Sequence, residues 1–151
     1  MKTGGLYTAL TDGRVVQYSI TNGQPVDTLF DERTARYQNL PVGLEDYQLS
    51  TDPNAGTPQK LLLTTAEEPI YRRSSKATYF VYDLKTRQLT PLSKRGKQQY
   101  ATFSPDGQRV AFVRANNLFV VDLRTMTERQ ITTDGAPNAI INGGADWVYE
   151  E

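Results

Sequence analysis

The sequence predicts an all-β fold, a partial β-propeller of about three blades made of antiparallel meander strands. Turn signals recur along the chain and helical periodicity is scarce, which is the pattern of many short strands. The strongest turn signals are Asp12-Gly13, Asn22-Gly23, Pro105-Asp106-Gly107 and Asp134-Gly135. A strand-and-turn pattern also repeats at an interval near 40 residues, which is typical of propeller blades.

The runs between these turns are short and rich in Val, Ile, Leu, Thr, Tyr and Phe, so each predicts a strand. In chain order they cover residues 14–20, 60–64, 77–84, 109–114 and 117–123. Their centres are almost wholly apolar, as in Val110-Ala111-Phe112-Val113. An apolar centre predicts a sheet that is buried on both faces between neighbouring blades.

The repeat is clearest between residues 80–86, Phe-Val-Tyr-Asp-Leu-Lys-Thr, and residues 119–125, Phe-Val-Val-Asp-Leu-Arg-Thr, which lie 39 residues apart. A third, weaker copy is assigned to residues 16–23. Because Asp83 and Asp122 recur at one place in the repeat, we interpret them as structural turn residues rather than catalytic carboxylates.

These patterns place the blades at roughly residues 6–40, 45–93 and 98–133, with residues 136–151 beginning a further segment. Residues 31–59, with several prolines and glycines, predict a long irregular connection within a blade. A propeller closes with about four to eight blades, so three blades predict a piece of a longer protein. An ordinary β-sandwich with a repetitive meander is the alternative fold.

Composition excludes several classes of function. Lys plus Arg and Asp plus Glu both number 17, so neither a nucleic-acid surface nor a polybasic membrane patch is expected. The chain has no cysteine and no histidine, which excludes a disulfide, a histidine-ligated metal and a Ser-His-Asp triad. We therefore predict no catalytic residue, metal or cofactor within the chain. No apolar run approaches the roughly 18 residues of a membrane-spanning helix, and no signal peptide is expected.

The last six residues combine aromatic and acidic side chains. Residues 146–151 read Asp-Trp-Val-Tyr-Glu-Glu, so the single tryptophan lies near the paired Glu150 and Glu151. The α-amino group of a peptide has a pKa of about 7.7 to 8 and is mostly an ammonium at neutral pH. Two carboxylates can accept its hydrogen bonds, and a nearby Arg72 would help to keep both carboxylates ionised.

Simpler interpretations of the same residues stay open at this point. The acidic pair is also typical of a solvated chain segment. Arg72 and Arg73 are also typical of a surface loop in which they form ion pairs with Glu67 or Glu68. Trp147 is expected to be a packing anchor that holds the acidic segment, rather than a ligand platform.

Three segments resemble known sequences. Residues 101–119, with Ser-Pro-Asp-Gly before a Val-Ala-Phe-Val strand, look like a propeller blade of the prolyl oligopeptidase superfamily. Residues 142–151 resemble the propeller insertion of the dipeptidyl peptidase IV family, in which Asp-Trp-Val-Tyr-Glu-Glu is followed by a third glutamate. Residues 70–74, Ile-Tyr-Arg-Arg-Ser, resemble the Arg-His-Ser segment that precedes a Tyr-Asp-Leu strand in that family. The likeness extends over about residues 60–151.

The resemblance implies a fragment of the N-terminal β-propeller, of bacterial type, from a serine exopeptidase that releases N-terminal X-Pro and X-Ala dipeptides. In this family the propeller caps an α/β-hydrolase domain that holds the triad, and that domain is absent from this sequence. The resemblance makes residues 136–151 the start of the substrate-recognition insertion. It assigns Glu151 to the glutamate pair that binds the substrate's amino group, and Glu150 to the preceding, more structural glutamate. It assigns Arg72 to the arginine that binds a substrate carbonyl. Arg73 stands where the family has histidine, so the choice between the two arginines stays open.

The resemblance also implies partners and a compartment. The partners are a peptide substrate with a free N-terminus and the absent hydrolase domain, and a homodimeric whole protein is compatible with the family. A periplasmic, cell-envelope or secreted location is implied, and the chain alone is expected to be catalytically inactive. The alternative function is a non-enzymatic propeller that serves as a protein-interaction scaffold, because Ser-Pro-Asp-Gly blades also occur in such proteins.

Overall fold

The computed structural model describes residues 5–50, 57–72 and 74–145. These residues form thirteen β-strands and no helix, so the all-β prediction is confirmed. Every strand pairs with a neighbour in the chain, and the pairings are antiparallel, as short connections between strands require. No helix in the described part of the chain has the length and apolar character to cross a bilayer.

The strands form three meander sheets and one short hairpin. The first sheet contains β1 (Leu6–Thr11), β2 (Arg14–Ser19) and β3 (Pro25–Asp31). The hairpin contains β4 (Arg36–Tyr37) and β5 (Leu40–Pro41). The second sheet contains β6 (Asp46–Leu49), β7 (Lys60–Tyr71), β8 (Ser74–Asp83) and β9 (Leu89–Pro91). The third sheet contains β10 (Gln99–Phe103), β11 (Arg109–Arg114), β12 (Asn117–Asp122) and β13 (Thr127–Gln130). The partial propeller of about three blades is therefore confirmed, whereas the blade limits at 6–40, 45–93 and 98–133 stay a prediction.

The stretch at residues 31–59 is more regular than the sequence predicts. Its described part contains the β4–β5 hairpin and β6, which pairs with β7 from Asp46↔Thr64 to Leu49↔Leu61. The prediction of a long irregular connection was therefore wrong for these residues. Pro41 misled the prediction because a proline without a backbone N–H is compatible with a strand at an edge.

The core lies between the sheets, and the second sheet is buried on both faces. Leu61 and Leu63 of β7 pack in one cluster with Phe30 of the first sheet. Leu62, which lies between them, packs in another cluster with Phe112 of the third sheet. This alternation follows from the period of two residues in a β-strand. It confirms the predicted double-sided burial for the second sheet.

Hydrogen bonds fix the third sheet relative to the second. Ala77 and Gln98 exchange two backbone hydrogen bonds of 2.8 and 2.9 Å, and Gln98 is fully buried. The Gln48 side-chain amide donates to the carbonyl of Ala101 at 2.8 Å. Because the two sheets are joined in this way, the loops at their ends have a defined relative position.

Asp83 and Asp122 are structural turn residues, as predicted. Asp83 Oδ1 accepts hydrogen bonds from the N–H groups of Lys85 and Thr86 at 2.9 and 2.8 Å. Asp122 Oδ1 accepts a hydrogen bond from the N–H of Arg124 at 2.9 Å. Each aspartate thereby closes the turn that leads from the third to the fourth strand of its sheet.

The third copy, at residues 16–23, has the same turn: Ser19 Oγ accepts a hydrogen bond from the N–H of Thr21 at 3.2 Å, and the N–H of Gly23 donates to the carbonyl of Ser19 at 2.8 Å. A separate turn follows at the end of this sheet. Asp31 ends β3, and its Oδ1 accepts a hydrogen bond from the N–H of Arg33 at 3.0 Å. The side-chain hydrogen bonds from Arg33 are the main cause that lowers the pKa of Asp31 to about 2.

A nearly buried ion pair supports the third sheet. Arg114 Nη2 and Glu128 Oε1 are 2.6 Å apart, and the two side chains are only 16% and 14% exposed. The Ser93 hydroxyl, in the connection after β9, donates to Glu128 at 2.5 Å and accepts from Arg114 at 2.9 Å. The guanidinium carbon lies 4.2 Å from the centroid of the Phe119 ring, which adds a cation–π contact. The network therefore joins the second and third sheets.

Candidate functional site

Arg72 is the one predicted site residue in the part of the chain that the structure describes. It is exposed in the turn between β7 and β8. Among the residues that the structure describes, none forms a hydrogen bond or ion pair with its guanidinium, and the nearby acidic groups have other partners. Arg73, Trp147, Glu150 and Glu151 lie outside the described residues.

The acidic residues near Arg72 have other partners. The Glu68 carboxylate is 2.8 Å from Lys97 Nζ and 3.2 Å from Lys76 Nζ. Hydrogen bonds from Lys97 and then Lys76 hold the pKa of Glu68 below its ordinary value. Glu67 accepts a hydrogen bond from a serine hydroxyl of β8. The simpler interpretation, in which Arg72 pairs with Glu67 or Glu68, is therefore wrong.

A cleft of about 480 Å³ brings two distant segments together. Ile70 and Tyr71, which immediately precede Arg72, line this cleft. Gly144 and Ala145, which immediately precede residues 146–151, also line it. The two segments that carry the candidate recognition residues therefore approach the same cleft. We call this space the recognition cleft.

The recognition cleft exposes apolar side chains beside amide groups. Between 40% and 50% of the surface of Ile70, Tyr71 and Ile141 remains accessible to solvent. The amide side chains in its lining are Gln99, Asn116 and Asn138. Adjacent exposed apolar side chains with polar groups at hand are typical of a binding surface.

Tyr100 lines the recognition cleft from an irregular point in β10. Its φ is 55°, which is uncommon for a residue other than glycine. The register between β10 and β11 shifts between Gln99 and Thr102, so the strand contains a bulge. A bulge re-aims a side chain and is frequent next to functional sites. A Cβ on Gly144 would lie 3.0 Å from Tyr100 Cε2, so the glycine lets the segment approach the ring closely.

Asn117 ties the segment after β13 to the β11–β12 turn. Asn117 Oδ1 accepts hydrogen bonds from the Gly135 N–H at 3.0 Å and from the Thr132 hydroxyl at 3.1 Å. Further along, the N–H of Asn142 donates to the carbonyl of Asn116 at 3.1 Å. Sequence reasoning missed this role, and its one signal is the asparagine pair Asn116-Asn117 at the junction of the predicted strands 109–114 and 117–123.

The described part of the site offers a free cation, amide groups and apolar surface. These groups can bind and orient a peptide, but they include no histidine or cysteine, which the chain lacks. Within residues 5–50, 57–72 and 74–145, no group of three or more acidic, histidine or cysteine side chains could hold a metal ion. The described groups therefore offer a ligand hydrogen bonds and apolar contacts.

Comparisons with known proteins agree on one family. A family model described as the dipeptidyl peptidase IV (DPP IV) N-terminal region matches residues 56–151. A probable dipeptidyl peptidase 4 of Aspergillus clavatus is 47% identical over 83 residues, which cover 54% of this chain and 10% of that protein. The human prolyl endopeptidase FAP is 34% identical over 145 residues, which cover 93% of this chain and 17% of that protein.

The fold likeness extends over the whole chain. The crystal structure of Porphyromonas gingivalis dipeptidyl peptidase 4 matches with a TM-score of 0.86 and 41% sequence identity. The match covers 100% of this chain and 21% of the other, so it includes both segments that line the recognition cleft. The chain thus spans between 10% and 21% of the length of these similar proteins.

Proposed function

This chain belongs to the family of dipeptidyl peptidase IV N-terminal regions, and from that premise we propose that it supplies part of the substrate-recognition surface of a serine exopeptidase. The whole protein releases X-Pro and X-Ala dipeptides from peptides with a free N-terminus. The observation that carries the proposal is the recognition cleft, which is lined by the residues before Arg72 and by those before residues 146–151.

Glu151 is proposed to accept hydrogen bonds from the substrate's ammonium group, with Glu150 supporting it from the preceding position. Hydrogen bonds between charged groups are shorter and roughly twice as strong as neutral ones. The described lining of the cleft contains no carboxylate, and Glu68, which precedes Ile70 in β7, is already paired with two lysines. A cation-binding role therefore depends on the acidic pair at residues 150 and 151.

Arg72 is proposed to bind the carbonyl oxygen of the substrate's first residue. Arg72 is exposed, and its guanidinium is unpaired among the described residues, so a substrate does not have to displace any of those residues from it. Arg73 is the competing candidate for the same role, and single substitutions of the two arginines distinguish them. A fixed ammonium site together with a carbonyl donor holds a peptide at one distance from a nucleophile, which limits cleavage to a dipeptide.

We extend the proposal to the whole protein. The nucleophile and its histidine belong to an α/β-hydrolase domain outside this chain, and the chain alone is inactive because it contains no histidine. The same proposal places the blades at residues 6–40, 45–93 and 98–133 and begins the recognition insertion at residues 136–151. It also gives the whole protein a periplasmic, cell-envelope or secreted location and a homodimeric state.

Two competing functions differ in whether a peptide with a free or a blocked N-terminus is cleaved. An endopeptidase accepts a blocked N-terminus, and the human relative is named a prolyl endopeptidase. A non-enzymatic scaffold cleaves neither a free nor a blocked peptide. The free-amine requirement is therefore the property to measure.

In the full-length protein, Glu151→Gln is expected to lower kcat/KM for glycyl-prolyl p-nitroanilide about 10- to 100-fold. The reason is that a hydrogen bond to a charged group contributes about 1.5 to 3 kcal/mol, and each 1.4 kcal/mol corresponds to a factor of ten. The N-acetylated substrate has no ammonium, so its slow hydrolysis is expected to stay unchanged. Steady-state kinetics on both substrates check this result.

Asp27→Asn is the matched control, because it likewise replaces one carboxylate by an amide, at an exposed residue of β3. It is expected to leave both rates unchanged. Equal hydrolysis of free and acetylated substrates by the unmodified protein would favour an endopeptidase. Absence of hydrolysis of both would favour the scaffold.

A further inference from the structure

We propose that Asn117 is a positioning residue for free-amine recognition, because its buried amide fixes the loop that leads into residues 146–151. The loop in question covers residues 135–142, and we call it the leader loop. This inference rests on the proposed function, since it concerns how the same site is held in place. It assigns a role to a residue that touches no substrate.

The hydrogen bonds of Asn117 involve both polar atoms of its amide. Its Oδ1 accepts from the Thr132 hydroxyl and the Gly135 N–H, which occupies both lone pairs of that oxygen. Its Nδ2 donates to the carbonyl of Ala115 at 3.1 Å. The residue is only 8% exposed, so water cannot readily replace these partners. Thr132 Oγ1 in turn accepts from the Leu118 N–H at 3.0 Å, which closes a ring of contacts.

Both ends of the leader loop return to the same turn. Gly135 is bonded to Asn117, and the N–H of Asn142 is bonded to the carbonyl of Asn116. Ala115 and Asn116 have φ values of 49° and 58°, which is the two-residue type I′ turn of a tight hairpin. A displacement of the leader loop at either end would therefore break its hydrogen bond with Asn117 or with Asn116.

Close packing leaves the leader loop little freedom to shift. A Cβ on Gly135 would lie 2.2 Å from the carbonyl oxygen of Asn116, so the backbone there is in direct contact with the turn. A Cβ on Gly143 would lie 2.9 Å from Val113 Cγ2. A binding site must hold its groups within about 0.5 Å of the productive geometry, and these contacts are of the kind that does so.

The β11–β12 turn is itself braced. Arg114, the residue before the turn, forms the nearly buried ion pair with Glu128 and packs on the Phe119 ring. Three features therefore connect the third sheet to the leader loop. They are the ion pair at the end of β11, the type I′ turn and the hydrogen bonds of the Asn117 amide. Loss of the amide removes the side-chain hydrogen bond that holds Gly135 against the turn.

The test measures substrate discrimination in the full-length protein. Asn117→Ala is expected to raise KM for glycyl-prolyl p-nitroanilide about tenfold with little change in kcat, because a displaced ammonium site weakens binding. The preference for the free over the N-acetylated substrate is expected to fall by the same factor. Asn117→Asp keeps the accepting oxygen but turns a second oxygen toward the Ala115 carbonyl, so it is expected to restore only part of the preference.

Ser50→Ala is the matched control for a purely structural effect. Ser50 is 3% exposed, and its Oγ also accepts two backbone N–H groups, those of Gln59 and Lys60, at 3.0 Å each. It lies in the connection between β6 and β7 and has no contact with the leader loop. A similar loss of Tm in both variants, with the substrate preference altered only by Asn117→Ala, supports the inference.

Three outcomes contradict the inference in distinguishable ways. An unchanged substrate preference in Asn117→Ala shows that the residue is merely structural, while the proposed function stands. An equal loss of preference in Ser50→Ala shows that general destabilisation is responsible. A lack of any preference in the unmodified protein overturns the proposed function and this inference with it. If Asn117→Ala does not fold, Thr132→Val removes one of the same contacts and is judged by the same criteria.

Discussion

Replacement of Phe112 by alanine is expected to lower the free energy of unfolding by about 3 to 5 kcal/mol. Phe112 is 1% exposed and belongs to the cluster between the second and third sheets. Its ring stacks on that of Phe119, with centroids 5.4 Å apart and an angle of 6° between the planes. Neighbours on two joined sheets cannot collapse into the space that the ring leaves. Urea unfolding measures the change.

Tyr7→Ala is the control for this prediction. Tyr7 also stacks on an aromatic ring, that of Tyr18 at 5.2 Å, but it is 44% exposed. Loss of an exposed stacked pair is expected to cost about 0.5 to 1.5 kcal/mol. An equal cost for the two substitutions would show that the contact between the sheets is not the core of the molecule.

Glu128→Ala is expected to destabilise the chain by about 3 kcal/mol, because it leaves the Arg114 guanidinium nearly buried without its counter-ion. The same substitution removes the acceptor for the Ser93 hydroxyl. The double variant Arg114→Met and Glu128→Met is expected to lose less than Glu128→Ala alone, since it leaves no unpaired charge. A larger loss in the double variant would contradict this account of the pair.

The pH dependence of stability gives a second measurement on the same pair. Burial raises the pKa of Glu128, but the hydrogen bonds from Arg114 and Ser93, with the charge of Arg114, outweigh it and hold the pKa below its ordinary value. A carboxyl with a lowered pKa in the folded state stabilises above the unfolded pKa of about 4.3. That stabilisation is lost as the pH falls through the folded pKa. We expect acid to destabilise the unmodified chain more steeply below about pH 4.3 than Glu128→Ala.

The propeller architecture could be predicted because its main signals are local in sequence. Leu61, Leu62 and Leu63 are consecutive, and alternate side chains in a strand face opposite sides, so only a sheet covered on both faces buries all three. Asp83 and Asp122 repeat because the same turn closes each sheet. These features require no knowledge of distant contacts.

The first sheet was harder to predict because its repeat had diverged. Ser19 preserves the turn contact with the N–H of Thr21, but serine replaces the aspartate that marks the other two copies. β6 was missed because it is only four residues long and follows a proline-containing hairpin. Its pairing with β7 becomes visible only when the two strands are brought together.

The candidate site was predicted only in part, for a physical reason. Arg72 could be put forward as a candidate from the sequence, because the motif that suggests it is local in the chain, and its role stays a prediction. Tyr100 and Asn117 could not, because their roles depend on contacts with Gly144 and Gly135, which come from a later segment. A non-local contact of this kind leaves no periodic signal in the sequence.

The measurement that tests the central claim most directly is a crystal structure of the full-length protein with a bound X-Pro dipeptide. The account predicts the ammonium nitrogen at about 2.7 to 2.9 Å from a carboxylate oxygen of Glu151. It also predicts the first carbonyl oxygen of the dipeptide within hydrogen-bonding distance of Arg72 or Arg73. A dipeptide whose ammonium group lies away from the acidic pair would contradict the account.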